Sequence, residues 1–217
     1  LNDKEAHGEI ETEHPGFLGC QDTYYVGNFK GIGKVYGQTY IDSYSRVADE
    51  KLYTEKTAIT SADMLNDRIL PWYEEQGVPI LRILTDRGTE YKGNPEHHAF
   101  ELFLSIEEIE HTVTKAYSPQ TNGMCERFHK TMKEEFFDTA MRKKIYSSLE
   151  ELQKDSDLWL HYYNNERPHS GKYCYGKTPM QTFMDSKKLA LEKNNEILYL
   201  EYISETHNSC VNQINQL

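Results

Sequence analysis

The chain has 217 residues, enough for one or two domains and for a core that needs no disulfide staples. Hydrophobic residues make up 37% and charged residues 27%, which excludes a fibrous or wholly disordered chain, and no apolar run is long enough for a membrane helix. The net charge of −11, from 24 basic and 35 acidic residues, excludes charge-driven nucleic-acid binding over the whole surface but leaves room for a local basic stripe.

Much of the excess acid lies in two short stretches, 1–13 and 96–110. The four cysteines, at 20, 125, 174 and 210, form no CxxC pair, so a zinc knuckle is excluded and reduced thiols are expected. The N-terminus lacks both a signal peptide and an initiator Met, so upstream residues are expected and the location is expected to be cytoplasmic.

Residues 1–15 are acidic and end just before Gly16, which reads as a linker. GFLGCQDTYYVG is strand-like, Lys30 to Lys34 is turn chemistry, and Lys34–Tyr44 and Val47–Tyr53 read as two further strands of an antiparallel meander. The spacing predicts a helix over 61–76, opened by Ser61 and bent or broken by Pro71. ILRILTD at 80–86 is a short apolar run expected of a buried central strand, running parallel to a neighbour after a helical crossover. A helix over 95–104 and a strand over 109–114 follow. SPQTNG is a flexible turn, expected to be among the most mobile segments without a ligand. Helices are predicted from near 123 and over about 148–165. Beyond 186 the chain is polar, lacks clear periodicity and is expected to fray. The whole is an α/β layer architecture: a mixed sheet with helices packed on it.

Three carboxylates stand out. Asp86 ends the apolar strand and precedes Arg87-Gly88, where functional groups gather in open α/β sheets, although a plain turn Asp fits the same place. Glu126 opens a helix whose Met124, Phe128, Met132 and Phe136 form an apolar stripe. Glu126, Lys130 and Lys133 fall on the opposite face, either as an exposed Glu–Lys pair or as a carboxylate beside two phosphate-seeking ammonium groups. Asp22 sits in a strand of aromatic and apolar residues, on the face shared with Cys20 and Tyr24, and Asp42 is a rival acid in the second strand. Carboxylates brought together need a cation, and an oxygen-only set suits Mg²⁺ or Mn²⁺, two of which can serve phosphoryl transfer.

LTDRGTEY (84–91), YSPQTNGMCERFHKTMKEEF (117–136), YYNNERPH (162–169) and KTPMQTF (177–183) together resemble the rve-type integrase core of bacterial insertion-sequence transposases, relatives of retroviral integrases. The resemblance runs from about 16 to 185, which would make 186–217 a polar tail. It implies a ribonuclease-H-like mixed five-stranded sheet flanked by helices. It also implies that Asp22, Asp86 and Glu126 are a catalytic, metal-binding triad, with Asp42 structural, and that Mg²⁺ or Mn²⁺, as two ions, is the cofactor. Lys130 and Lys133 resemble helix lysines that contact element-end DNA. Arg87 stands where many relatives have Asn and is expected to touch DNA phosphate. Arg167 and His169 read as a helix stop.

The resemblance further implies DNA as the partner, a homo-oligomer on that DNA, and no membrane. Location at the bacterial nucleoid follows when the chain is bound to DNA. Metal-dependent end cleavage and strand transfer would be the activity. A nuclease without strand transfer, and a remnant acting as a DNA- or protein-binding module, remain alternatives. Relatives carry a helix-turn-helix region before this core. None is visible here, so a core fragment is expected.

Overall fold

The computed structural model describes residues 12–114 and 123–195. Five strands, β1 (Gly19–Phe29), β2 (Gly33–Asp42), β3 (Ala48–Tyr53), β4 (Arg82–Thr85) and β5 (Glu110–Val113), form one sheet in the order β3-β2-β1-β4-β5. The first three are antiparallel neighbours, as the meander reading expects, whereas β4 runs parallel to both β1 and β5. The register slips between Tyr25 and Gly27, a bulge that twists the far end of β1.

Consecutive strand residues are divided between two cores, as the two-residue period of a pleated strand requires. Leu18, Cys20, Ile41 and Leu84 face helices α4 (Gly123–Met132) and α6 (Leu149–Asn165), with Phe128, Met132, Leu160 and Tyr163. Tyr40 and Ile83 face the other layer, α1 (Ala58–Met64), α2 (Leu70–Gln76) and α3 (Ala99–Ile106), with Met64, Tyr73 and Phe100. At that interface Gln21 Nε2 donates to the Ser61 carbonyl at 2.8 Å, and Tyr91 Oη donates to Gln38 Oε1 at 2.8 Å.

Three local expectations change. The first helix begins at Ala58 rather than 61, because Thr57 and Thr60 form a reciprocal capping box. Pro71 does not break it: a π-helical turn, Leu65–Ile69, precedes the proline, which then sits in the first turn of α2, where its missing N–H costs little. The chain past 186 is ordered helix as far as 195. This helix, α7 (179–195), is capped by Thr178, whose hydroxyl accepts from the Gln181 amide at 3.2 Å. It buries Phe183 and Ala190 against the second core. Residues 115–122, which include most of the SPQTNG turn, and 196–217 lie outside the described residues. Cys20, Cys125 and Cys174 are free thiols, all buried, and Cys210 lies outside the described residues. Among the described residues no helix is long and apolar enough to cross a membrane.

One buried acid sets a pH dependence. Glu50 in β3 is fully buried, accepts hydrogen bonds from Ser156 (2.6 Å) and Tyr24, and is pushed from 4.5 up to about 7 by burial, which outweighs those bonds. Its folded pKa is raised, so its contribution to stability is fully present below about pH 4.5 and is lost as pH rises through about 7. Glu50→Gln is therefore expected to be more stable than the parent at pH 8 by about 3 kcal/mol, with the slope between those pH values flattened. Urea unfolding against pH checks this; parallel curves for parent and variant would contradict it.

Candidate active site

Asp22 and Asp86 are brought together by strand register. Gly19 and Cys20 of β1 pair with Ile83 and Leu84 of β4, so the same register two residues further on sets Asp22 level with Asp86. Both carboxylates lie near enough to α4 for their charge to reach Cys125. Cys125 shows this: its thiol is raised well above its ordinary value, first by its hydrogen bond with Cys20 and by burial, then by the charges of Cys20, Asp22 and Asp86. Asp22 is 9% exposed, and its Oδ1 accepts from the Thr23 amide at 2.9 Å. Asp86 ends β4 in a tight turn, its Oδ1 accepting from the Gly88 amide at 2.8 Å.

Asp42 lies elsewhere. It is completely buried, and its two oxygens accept from the Gly16, Tyr44 and Ser45 amides and from the Ser45 and Tyr73 hydroxyls at 2.6–3.2 Å. It pairs with Gly19, three residues down the strand from Asp22. Such a carboxylate staples the β2–β3 turn to the start of β1.

Glu126 is exposed on the first turn of α4, one residue from Cys125. Among the described residues no three His, Cys, Asp or Glu side chains stand grouped to hold a metal. Of the two readings of this face, the Glu126–Lys130 pair is not seen among the described residues: Lys130, with a side chain 73% exposed, lies 3.9 Å from Glu134. Lys133 is also exposed. Arg87 is anchored by its Nε, which donates to the Thr114 carbonyl at 2.8 Å and fixes where the rest of the guanidinium projects.

Three neighbours escaped the sequence reading. Glu90 is 2% exposed; its Oε1 lies 2.6 Å from Lys56 Nζ, while its Oε2 is buried without a partner among the described residues. A Cβ on Gly88 would sit 2.5 Å from Glu90 Oε2 and 2.9 Å from Asp86 Oδ1, so this glycine lets two carboxylates approach each other. Burial pulls the Lys56 ammonium down, but Glu90, then Asp86 and Asp22, outweigh it and hold it above its ordinary value. His129 stacks on Tyr24 at 4.3 Å, bonds Thr39 Oγ1 at 2.7 Å, and lies 3.9 Å from Asp22; burial lowers it to about 4, so it is neutral at pH 7. Glu90 sits inside the LTDRGTEY motif, but nothing in its spacing marks it as buried. Lys56 and His129 belong to no pattern that one strand or helix displays.

An acid pair with an orphaned buried oxygen beside it suits a hard divalent cation, since oxygen donors and excess negative charge are what such an ion requires.

Residues 107–179, which include Glu126, match the family model described as an integrase core domain. The ORF3 product of Spiroplasma virus SpV1-C74, named as a candidate integrase, is 29% identical over 195 residues, covering 86% of this chain and 52% of that protein. The chain thus spans about half the length of this relative. The fold is similar to the simian T-cell lymphotropic virus intasome structure, with TM-score 0.62 and 18% identity over 83% of this chain and 59% of that one. It is also similar to the HTLV-2 integrase catalytic core domain solved with magnesium, with TM-score 0.55 and 18% identity over 78% of this chain and 97% of that one. At 18% identity the likeness is one of fold, and that fold is ribonuclease-H-like.

Proposed function

We propose that the chain is the catalytic core of a DDE transposase or integrase, cutting DNA at an element end and joining the freed 3′-hydroxyl to a target phosphodiester, as its similarity to integrase cores supports. The observation that supports this best is the register that sets Asp22 level with Asp86, near the helix whose first turn carries Glu126. Asp22, Asp86 and Glu126 would hold Mg²⁺ or Mn²⁺, which when bound supplies charge stabilisation for the attacking and leaving oxygens. Glu126 would join the aspartates from the exposed first turn of α4.

The protein's own groups do the rest. Lys56, held by Glu90, offsets part of the repulsion between Asp22 and Asp86. The buried, neutral His129 packs beside Asp22 without adding charge. Arg87, Lys130 and Lys133 are placed to meet DNA phosphates, Arg87 in a direction set by its bond to Thr114. An assembly of several copies on DNA fits this reading, since the similar retroviral chains are described in intasome and dimeric forms.

The direct test incubates the chain with short duplexes bearing the natural element ends, Mg²⁺ or Mn²⁺, and a target plasmid. Joined products sink the nuclease-only and binding-module alternatives; cleavage without joining, or neither, sinks the proposal.

The two lysines separate binding from folding. Both are exposed and clear of the core, so Lys130→Ala with Lys133→Ala is expected to leave thermal stability within about 0.5 kcal/mol of the parent. It should also flatten the log-affinity against log-salt slope on duplex DNA by about 2, one counterion per lost phosphate contact. An unchanged slope would return these residues to an ordinary solvated face.

A further inference from the structure

On the flank of α4 away from the aspartates lies a second feature. A cleft of 670 Å³ is walled by the β2–β3 turn, by α4, and by the loop after α6. Four cations line it, Arg46, Arg127, Arg167 and Lys172, with His169 between them and no carboxylate among the described residues of the lining. In a chain of net charge −11 this concentration of positive charge is not a product of composition.

The cations are arranged rather than merely present. Arg46 occupies the left-handed region at φ 69°, which fixes the turn, and its guanidinium contacts the Met124 sulfur. Arg167 is clamped by Glu135 through three bonds of 2.7–3.1 Å and lies over the Tyr163 ring at 5.7 Å. Arg46 and Arg127 have no carboxylate partner among the described residues. His169 is lowered to about 4 by burial and then by Arg46, Arg167 and Arg127, so it is neutral and its Nδ1 accepts from the Gly171 amide at 2.9 Å. A Cβ on Gly171 would lie 2.9 Å from His169 Nδ1 and 3.0 Å from Arg46 Nε, so only glycine leaves this floor open.

Uncompensated guanidinium groups in a half-open cleft, together with imidazole and backbone N–H groups, are the chemistry of phosphate recognition. Position favours a strand over a small anion. At 100° per residue, Arg127 and Thr131 project on the cleft flank of α4, His129 and Cys125 on the aspartate flank, and Glu126 and Lys130 between them on the outer face. One backbone crossing α4 reaches both flanks. We propose that this cleft grips the phosphodiester backbone of the DNA strand whose chemistry occurs across α4, which rests on the DNA-processing reading above and assigns Arg46, Arg127, His169 and Lys172 as strand-holding residues. The RPH segment is thus more than a helix stop, although Arg167 does follow the end of α6, its amide bonding the Tyr162 carbonyl at 3.0 Å.

The test uses the full chain with fluorescent duplex DNA in EDTA, titrated with salt, comparing the parent with Arg127→Ala plus Lys172→Ala. Both residues are exposed, so the melting temperature should hold and serves as the folding control. The expected result is a salt slope reduced by about 2 and an affinity loss of about tenfold or more at low salt. Gly171→Val should weaken binding without removing any charge. Equal slopes and affinities for parent and double variant would overturn the cleft assignment while leaving the DNA reading standing. If the parent binds no DNA under any condition, the DNA reading and the cleft fall together. If the double variant loses only a polyglutamate competitor and keeps DNA, the cleft takes an acidic protein segment and the proposal is wrong.

Discussion

Asp86→Asn is expected to abolish metal-dependent strand transfer, a loss of about 1000-fold or more, while leaving the protein at least as stable as the parent. The two halves of this result have one cause. The register of β1 and β4 sets two carboxylates side by side, and their repulsion costs stability unless a cation offsets it. Replacing one by an amide removes the repulsion and also a ligand, and losing a group that provides several kcal/mol of transition-state stabilisation lowers the rate by about three orders of magnitude. Thermal unfolding gives a second readout independent of turnover. Mn²⁺ should raise the parent's melting temperature, because an ion that binds only the folded form stabilises it, and should leave that of Asp86→Asn unmoved. Asp42→Asn should do the reverse: it disturbs five hydrogen bonds and the start of β1, so it costs stability at every metal concentration. If Asp42→Asn proves harmless to folding and blocks the metal response, the first carboxylate has been misassigned.

Phe128→Ala is expected to be the most damaging single truncation in α4, costing about 3–5 kcal/mol. The ring is 3% exposed, sits 5.1 Å from Tyr163 and 6.2 Å from Trp159, and joins the helix to α6 across the first core. For a chain of this size each kcal/mol moves the melting temperature by about 2–4 °C, so a drop of about 10 °C is expected. Because α4 presents Glu126, the same variant should lose strand transfer at temperatures where it is still folded. A shift under about 3 °C would mean that the ring's site collapses easily, and that the helix is held by Cys125 and Met132 instead.

The chain-local features were legible from residue order alone. Alternation placed Cys20, Asp22 and Tyr24 on one face of a strand because a pleated backbone repeats every two residues, and the structure keeps Cys20 and Tyr24 in the first core beside α4. The apolar run at 80–86 yielded a central parallel strand, since only a strand covered on both faces can be apolar throughout. Phe128 and Met132 were recognisable as core from their helical spacing, and the four motifs pointed to an integrase core by their resemblance to that family.

What only the tertiary structure decided is where distant segments meet. Pro71 reads as a breaker, yet a π-helical turn ahead of it carries the helix through. The polar stretch past 186 reads as a frayed tail, yet Phe183 and Ala190 bury against the second core and sustain a helix through 195. Glu90 gains its character from Lys56 and Gly88, and the cleft draws cations from a turn, a helix and a loop that together span more than a hundred positions. Period and propensity are properties of neighbours in sequence. Burial, charge convergence and the desolvation that shifts a pKa are properties of neighbours in space, and no pattern along one segment encodes them.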